Sequence, residues 1–375
     1  MVTIKILGVQ DPAVYAYVSE KYNVLQNFPD KNVKIEFHIV SWEMYFDVMI
    51  SSFHGKEEYD IVMVAGHLWL RDFIEKDYLE ELKYDFDDIL PNIAKEMMWN
   101  NKTYLSPSFC DGHMVVYRKS VLQKILGKLP DTVITTEKLI EIAYQLKQSG
   151  YEYPIALKAH HSEIFLDVLP YMRTEETDIY HIVDNQVVCD TDRMIEGLKR
   201  YLKMREVAVT DSYQYGNQEI KEAFIKKEIV MAVTWSGQLG ELVNEDKDKD
   251  DIGFMTLKTA WNVTWSFGIN KQSKQKEICN QVLEYFRTKE VDWIVGTHCG
   301  APIRMSSYLR GSKEYEWYSI QLDMIEKYSK RLLSIPKGCE KNAVLYEIIH
   351  KIFLGKEEIE RGIIDIKEKV ESLEV

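Results

Sequence analysis

Residues 60–65 read Asp60-Ile61-Val62-Met63-Val64-Ala65, a short and almost wholly apolar run. Runs of this kind are typical of strands that are buried on both faces of a parallel sheet. Two more strand patterns precede it, Val2–Val9 (VTIKILGV) and Val33–Val40 (VKIEFHIV). Apolar residues at helical spacing predict helices over Ala13–Leu25, Tyr45–Ser52 and Leu68–Lys76. This alternation predicts an α/β protein with a parallel, doubly wound sheet.

The pattern changes after Pro107, where shorter strands mix with longer helices. The predicted strands are Met114–Tyr117, Tyr153–Leu157, Ile229–Thr234 and Val263–Ile269. The predicted helices are Thr136–Gln148, Lys274–Arg287 and Glu357–Leu373, with mostly helical structure over residues 195–228. A chain of 375 residues suggests two domains or one large one, at roughly 150 residues per domain. The change near Pro107 favours two.

Composition excludes several classes of protein. The net charge of −13 argues against nucleic acid as a partner, because phosphate binding requires a basic surface. No run reaches the ~18 consecutive apolar residues that a membrane-spanning helix needs. The five cysteines have no C-x-x-C spacing, which argues against a disulfide framework and a zinc site. They are Cys110, Cys189, Cys279, Cys299 and Cys339.

No motif indicates a catalytic, metal or cofactor site. The glycine-rich nucleotide motifs, H-E-x-x-H and G-x-S-x-G are all missing. The run Asp246–Asp250 imitates half of a calcium loop, but the required glycine and glutamate do not follow, so a solvated acidic loop is expected. His160, His161 and Glu163 could ligate a metal, although adjacent histidines on one loop rarely face one ion. We therefore predict no metal and no cofactor. A Ser/His/Asp triad stays open, because its members need not be neighbours in sequence.

Tryptophans stand where predicted strands end. Trp42, Trp69 and Trp235 each follow a strand, and Trp261 and Trp265 flank the start of another. Ligands of open α/β sheets bind beyond the carboxyl ends of the strands, and flat rings there suit the C–H faces of a sugar. A single tryptophan in such a place is more often a cap on the core. Three such junctions together favour a carbohydrate site.

Several segments, taken in order, allow a family to be identified. They are Phe28–Ile35 (FPDKNVKI), Asn101–Pro107 (NKTYLSP), Val115–Lys119 (VVYRK), Ala223–Met231 (AFIKKEIVM), Phe267–Lys274 (FGINKQSK) and Gly300–Arg304 (GAPIR). This ordered set resembles the extracellular solute-binding proteins, family 1, which are the maltose-binding-protein-like sugar receptors of ABC importers. The chain departs from the family pattern at Arg118, where asparagine is usual, and at Lys227-Glu228, where Gly-Lys is usual.

The resemblance implies a type II periplasmic-binding-protein-like fold, with two α/β lobes and a ligand cleft between them. One lobe is expected from residues 1–107 plus 257–305, and the other from 108–256 plus 306–375. The implied function is not enzymatic. A monomer captures a carbohydrate, expected to be an oligosaccharide, by hinge closure and delivers it to ABC transporter permease subunits. The implied location is extracytoplasmic, either periplasmic or lipid-anchored at the cell surface, with the export signal removed from this sequence.

By segment match, the resemblance also implies a set of ligand-binding residues from both lobes and the crossover between them. They are Trp42, Gly66, His67, Trp69, Phe109, Asp111, His160, His161, Glu163, Trp235, Gln238, Trp261 and Trp265. Two alternatives stay open. The same fold could bind a polyamine or another small solute, with Asp111 and Glu163 among the carboxylates that surround it. A glycoside-acting enzyme would instead use these two carboxylates as its catalytic pair.

Overall fold

The computed structural model describes residues 1–184 and 186–373, which form two compact units. The first unit comprises Met1–Asp111 and Val263–Glu314, and the second comprises Gly112–Asn262 and the residues from Tyr315 onward. The chain therefore passes from one unit to the other after residues 111, 262 and 314. The lobe boundaries predicted from the sequence follow residues 107, 256 and 305.

The described chain mixes strands and helices, and they alternate regularly over its first 75 residues. Up to the first crossing the elements are β1 (Val2–Val9), α1 (Pro12–Val18), β2 (Val33–Val40), α2 (Trp42–Phe53), β3 (Ile61–Ala65), α3 (Gly66–Glu75), α4 (Pro91–Glu96), β4 (Met98–Trp99), β5 (Lys102–Thr103) and β6 (Ser106–Arg118), which contains the crossing. The second unit continues with α5 (Lys119–Leu126), β7 (Val133–Ile134), α6 (Thr136–Gln148), β8 (Ile155–Ala156), α7 (Ile164–Met172), β9 (Tyr180–Val183), β10 (Gln186–Cys189), α8 (Thr191–Arg205), α9 (Asn217–Ile225), β11 (Met231–Trp235), α10 (Leu239–Glu245) and β12 (Ile252–Leu257).

The chain then returns to the first unit and ends in the second. The first unit gains β13 (Asn262–Ile269), α11 (Lys276–Phe286), α12 (Lys289–Cys299) and α13 (Met305–Gly311). The second unit is completed by α14 (Tyr318–Asp323), α15 (Gly338–Phe353) and α16 (Ile359–Ser372). Within the described residues, none of these helices has both the length and the apolar character needed to cross a membrane.

In the first unit, β1 lies between β2 and β3 in a mixed sheet. It pairs in parallel with β2 from Val2 opposite Val33 onward, and in parallel with β3 at Ile6 opposite Ile61. Strand β13 pairs with β3 in the antiparallel sense, with Trp265 opposite Ala65. The predicted α/β class is confirmed, but the wholly parallel sheet is wrong. The period-2 alternation of side chains is the same in both directions, so the pattern at β13 does not reveal its direction.

In the second unit, residues 113–118 of β6 form the centre of the sheet. Strand β11 pairs antiparallel on one side, with Trp235 opposite His113, and β12 pairs antiparallel on the other. Strand β8 extends the sheet in parallel beyond β11, and β7 does so beyond β12. The carboxyl end of β11 therefore brings Trp235 next to a residue more than a hundred positions earlier in the chain.

Most predicted elements are confirmed to within a few residues, and Thr136–Gln148 agrees at both ends. The helix predicted over Ala13–Leu25 is wrong in length, because α1 ends at Val18. Asn23 adopts a positive φ of 53°, which a helix does not contain, while Val24 is nonetheless buried. An apolar residue at helical spacing can thus be buried from a turn. The strand predicted over Tyr153–Leu157 is shorter, spanning Ile155–Ala156.

Candidate ligand-binding site

The first unit holds a group of aromatic side chains that we call the first cluster, consisting of Trp42, Trp69, Trp265 and Phe109. Trp42 begins α2 directly after β2, and Trp69 lies in the first turn of α3 directly after β3. The rings of Trp42 and Trp69 are stacked, with centroids 5.8 Å apart and planes at 21°. The Trp265 ring lies edge-on to the rings of Trp42 and Trp69, with centroid distances of 5.8 and 6.2 Å. The Phe109 ring is nearly parallel to that of Trp265, with centroids 6.5 Å apart. Four predicted site residues are therefore neighbours.

Tyr45 supports the first cluster from the interior. Its ring lies 6.3 Å from that of Trp69 and 6.5 Å from that of Trp265. Its hydroxyl donates to the backbone carbonyls of Met63 at 2.6 Å and Leu7 at 3.2 Å, which ties α2 to β3 and β1. Burial raises the pKa of this hydroxyl, so it stays a donor. The sequence prediction omitted Tyr45, although its spacing of three residues from Trp42 places both on one side of α2.

Three further residues of the predicted site, Gly66, His67 and Asp111, lie in the first unit. Gly66 and His67 begin α3, and a Cβ atom at Gly66 would meet Leu105 Cδ1 at 3.0 Å. Both ring nitrogens of His67 are buried, and burial lowers the pKa of this histidine to about 3, so it is neutral at pH 7. Asp111 is also buried. The Cys299 thiol has its pKa raised mainly by burial, with contributions from the carboxylates of Asp11 and Asp111.

The second unit holds a second cluster, built around Trp235 at the end of β11. Its indole Nε1 donates to Glu163 Oε2 at 3.1 Å. The ammonium Nζ of Lys158 lies 3.6 Å from the centroid of the Trp235 ring. The rings of Trp261 and His113 pack edge-on against the same indole, with centroid distances of 5.1 and 4.6 Å. Of these five residues, three were predicted from the sequence, whereas His113 and Lys158 were not.

His113 connects the two indoles of the second cluster. Its Nε2 accepts a hydrogen bond from Trp261 Nε1 at 3.1 Å, while its ring packs against Trp235. The side chain is fully buried. Burial lowers the pKa of His113 well below its usual value, and the positive charges of Lys158 and Arg173 lower it further. The ring is therefore neutral at pH 7, and the backbone nitrogen of Trp261 lies 3.3 Å from its Nδ1.

The remaining predicted residues also lie in the second unit. His160 and His161 have ring centroids 4.1 Å apart, and His350 of α15 lies 6.1 Å from His161. No group of three His, Cys, Asp or Glu residues in the described part of the chain is arranged to hold a metal ion. Gln238 is buried at the end of the short helical turn that follows Trp235.

The structure thus divides the predicted site between the two units. Trp261 and Trp265, which are neighbours in sequence, belong to different clusters. The first cluster consists of flat aromatic rings, and the second combines such rings with the hydrogen-bonding side chains of Glu163 and His113. Such a combination suits a ligand with both C–H faces and hydroxyl groups, as in a sugar or a polyol.

Comparison with known proteins identifies the family and the fold. A family model described as bacterial extracellular solute-binding protein matches residues 10–292. The maltose-bound MalE3 protein of T. maritima superposes with a TM-score of 0.86 at 18% identity, covering 100% of both chains. An ABC transporter solute-binding protein of Agrobacterium radiobacter K84 in complex with ribitol gives 0.84 at 17% identity, covering 100% of this chain and 99% of its own.

A third similar structure is the solute-binding protein of Agrobacterium vitis S4 with bound D-mannitol. The TM-score is 0.82 and the sequence identity is 16%, and the superposition covers 99% of this chain and 98% of that protein's chain. Matches of this quality over whole chains show a shared two-lobed, periplasmic-binding-protein-like α/β fold. At such low identity they show the fold and not the ligand.

Proposed function

The chain belongs to the bacterial extracellular solute-binding proteins, and we propose that it is the carbohydrate receptor of an ABC importer. The family and the fold are those of non-enzymatic solute-binding proteins that act outside the cytoplasm. In this proposal the protein captures a sugar or a polyol, preferably an oligosaccharide, and releases it unchanged to membrane permease subunits. It acts as a monomer in the periplasm or as a lipoprotein at the cell surface.

The observation that carries this proposal is the pair of aromatic clusters. Both contain indole rings near the carboxyl ends of strands, and in the second cluster the indole of Trp235 donates to the carboxylate of Glu163. Indole faces bind the C–H faces of a sugar ring, while Glu163, Asp111 and Gln238 accept or donate hydrogen bonds to its hydroxyls. The maltose, D-mannitol and ribitol bound to the three similar proteins support the same ligand class.

We further propose that the ligand is bound by residues of both units. In the first unit these are Trp42, Gly66, His67, Trp69, Phe109, Asp111 and Trp265. In the second they are His160, His161, Glu163, Trp235, Gln238 and Trp261. A ligand that contacts both units stabilises a closed state relative to an open one by the free energy of the additional contacts. Hinge closure is then the signal that a permease recognises.

A thermal-shift panel tests the ligand class. The purified protein is heated with maltose, longer malto-oligosaccharides, D-mannitol, ribitol, spermidine and zinc chloride. A ligand that binds only the folded protein stabilises it by about 2.7 kcal/mol at a hundred times its dissociation constant. We expect stabilisation by at least one neutral carbohydrate or polyol, together with a change in tryptophan emission.

Two controls make the result specific. Trp235→Ala removes a proposed stacking surface, whereas Tyr213→Ala changes an aromatic side chain that is 38% exposed and lies outside both clusters. The first variant should show a smaller response at the same ligand concentration, and the second should keep the full response. Stabilisation by spermidine alone would contradict the carbohydrate proposal. Hydrolysis of a glycoside by the purified protein would contradict the receptor role.

A further inference from the structure

Lys158 is a buried cation that the proposed receptor role does not yet use. Its side chain is fully buried two residues after β8. The ammonium donates to Asn217 Oδ1 at 2.6 Å and lies over the Trp235 ring at 3.6 Å. Its backbone nitrogen donates to Asp167 Oδ2 at 3.1 Å, and the same oxygen accepts from Tyr201 at 2.6 Å. Both ends of this lysine are therefore held in place.

The position of Lys158 makes the two faces of Trp235 inequivalent. The ammonium occupies one face, and the ring N–H is bonded to Glu163 at the edge. A ligand that stacks on Trp235 must therefore use the opposite face. A cation on one face attracts π-electron density toward itself, because the face of an indole is the negative end of its quadrupole. The opposite face is then less attractive to a second cation.

Distance sets the strength of this effect. A solute cation stacked at a similar height on the opposite face would lie roughly 7 Å from Nζ, twice the 3.6 Å stacking distance. Two like charges at that separation repel strongly in a poorly solvated site. Glu163 acts in the other direction, but its carboxylate lies at the ring edge and accepts the indole hydrogen. A neutral solute experiences neither of these net charge interactions.

We propose that Lys158 sets the charge selectivity of the solute site, favouring neutral carbohydrates and polyols and rejecting cationic solutes such as linear polyamines. The inference rests on the proposed function, because it requires Trp235 to contact the solute. It assigns Lys158 as a specificity-determining residue that acts through Trp235. It also separates the carbohydrate receptor from the polyamine receptor, two roles that the residue types of the clusters alone leave open.

The experiment compares the ratio of two dissociation constants, that for spermidine divided by that for a neutral solute, in the unaltered full chain and in variants of Lys158. Isothermal titration gives the dissociation constants for spermidine and for the neutral probe, taken as the most stabilising of maltose, D-mannitol and ribitol. Lys158→Met removes the charge and keeps the length, whereas Lys158→Arg keeps a cation over the ring. We expect the spermidine-to-neutral ratio to fall at least tenfold in Lys158→Met and to stay within threefold of the original in Lys158→Arg.

Several outcomes decide the matter. An unchanged ratio in folded Lys158→Met overturns the inference, and so does equally tight binding of spermidine and the neutral probe by the unaltered protein. If Lys158→Met does not fold by circular dichroism, Lys158→Gln, which retains a donor for Asn217, supplies the same ratio. If no neutral probe binds at all, the proposed carbohydrate class fails. Charge selectivity is then read from spermidine affinity alone, and it is overturned if the uncharged variant gains none.

Discussion

Protonation of His113 offers a quantitative test of the second cluster. The ring is fully buried and accepts a hydrogen bond from Trp261, so its charged form is disfavoured in the folded protein. In the unfolded chain a histidine has a pKa near 6.5. The unfolded state therefore binds a proton in a pH range where the folded state does not. The contribution of the neutral His113 to the free energy of unfolding is therefore fully present above about pH 6.5, and it falls as the pH is lowered below that value.

The size of the effect follows from that difference. Each pH unit below the unfolded pKa costs about 1.4 kcal/mol for as long as the folded pKa lies lower still. Between pH 7 and pH 5 the contribution of His113 to the free energy of unfolding thus falls by about 2 kcal/mol. His113→Gln does not titrate, while its amide oxygen can still accept from the indole of Trp261. The variant should lack this part of the pH dependence.

The assay is urea unfolding at pH 7 and pH 5, followed by far-UV circular dichroism. The unaltered protein should lose about 2 kcal/mol more than His113→Gln over this interval. Carboxylates and the other histidines contribute alike to both proteins and cancel in the difference. His38→Gln, at a side chain 46% exposed, controls for the substitution itself. An equal loss in the unaltered protein and His113→Gln would refute a buried, neutral His113.

Other variants test individual contacts. Trp235→Ala should weaken binding of the neutral ligand by about 1–3 kcal/mol in isothermal titration, and unchanged affinity would remove Trp235 from the site. Trp42→Ala should weaken the same ligand similarly if the first cluster also binds it, whereas an unaltered dissociation constant would restrict binding to the second unit. Tyr45→Phe leaves backbone carbonyls of β1 and β3 without their donor and should cost about 1–3 kcal/mol in urea unfolding, with an unchanged midpoint as the contrary result. Arg118→Met removes the cation that now bonds the buried carboxylate of Asp246 at 2.6 Å, and it should lower the free energy of unfolding by about 3–5 kcal/mol. A decrease below about 1 kcal/mol in urea unfolding would mean that the ion pair contributes little to stability.

The departure from the family pattern at Arg118 has a structural explanation. Its guanidinium bonds the buried Asp246 and the backbone carbonyl of Phe224, and it lies 4.2 Å from the centroid of the Phe224 ring. Asp246 belongs to the acidic run that imitates a calcium loop. The structure therefore uses this carboxylate to bond a cation of its own chain, and the solvated-loop interpretation is wrong at this position because Asp246 is buried.

Residue patterns were sufficient for the secondary structure and for the aromatic part of the candidate site. Ile61–Ala65 is buried along its whole length, as its apolar pattern predicts, and a tryptophan directly after a strand lies at the end of that strand. Trp42, Trp69 and Trp235 could therefore be predicted to lie at the carboxyl ends of strands. These are local properties, since each depends on a few consecutive residues.

Folding in three dimensions supplied the partners. His113 meets Trp235 because β6 and β11 pair, and Lys158 reaches the same ring from the end of β8. Nothing near His113 or Lys158 in sequence indicates these contacts, because pairing brings together segments that are far apart in the chain. The local sequence likewise does not indicate the antiparallel direction of β13 or the end of α1 at Val18. The types of side chain in the site were thus readable from the sequence, whereas their contacts, and with them the buried charge beside the indole, depend on long-range packing.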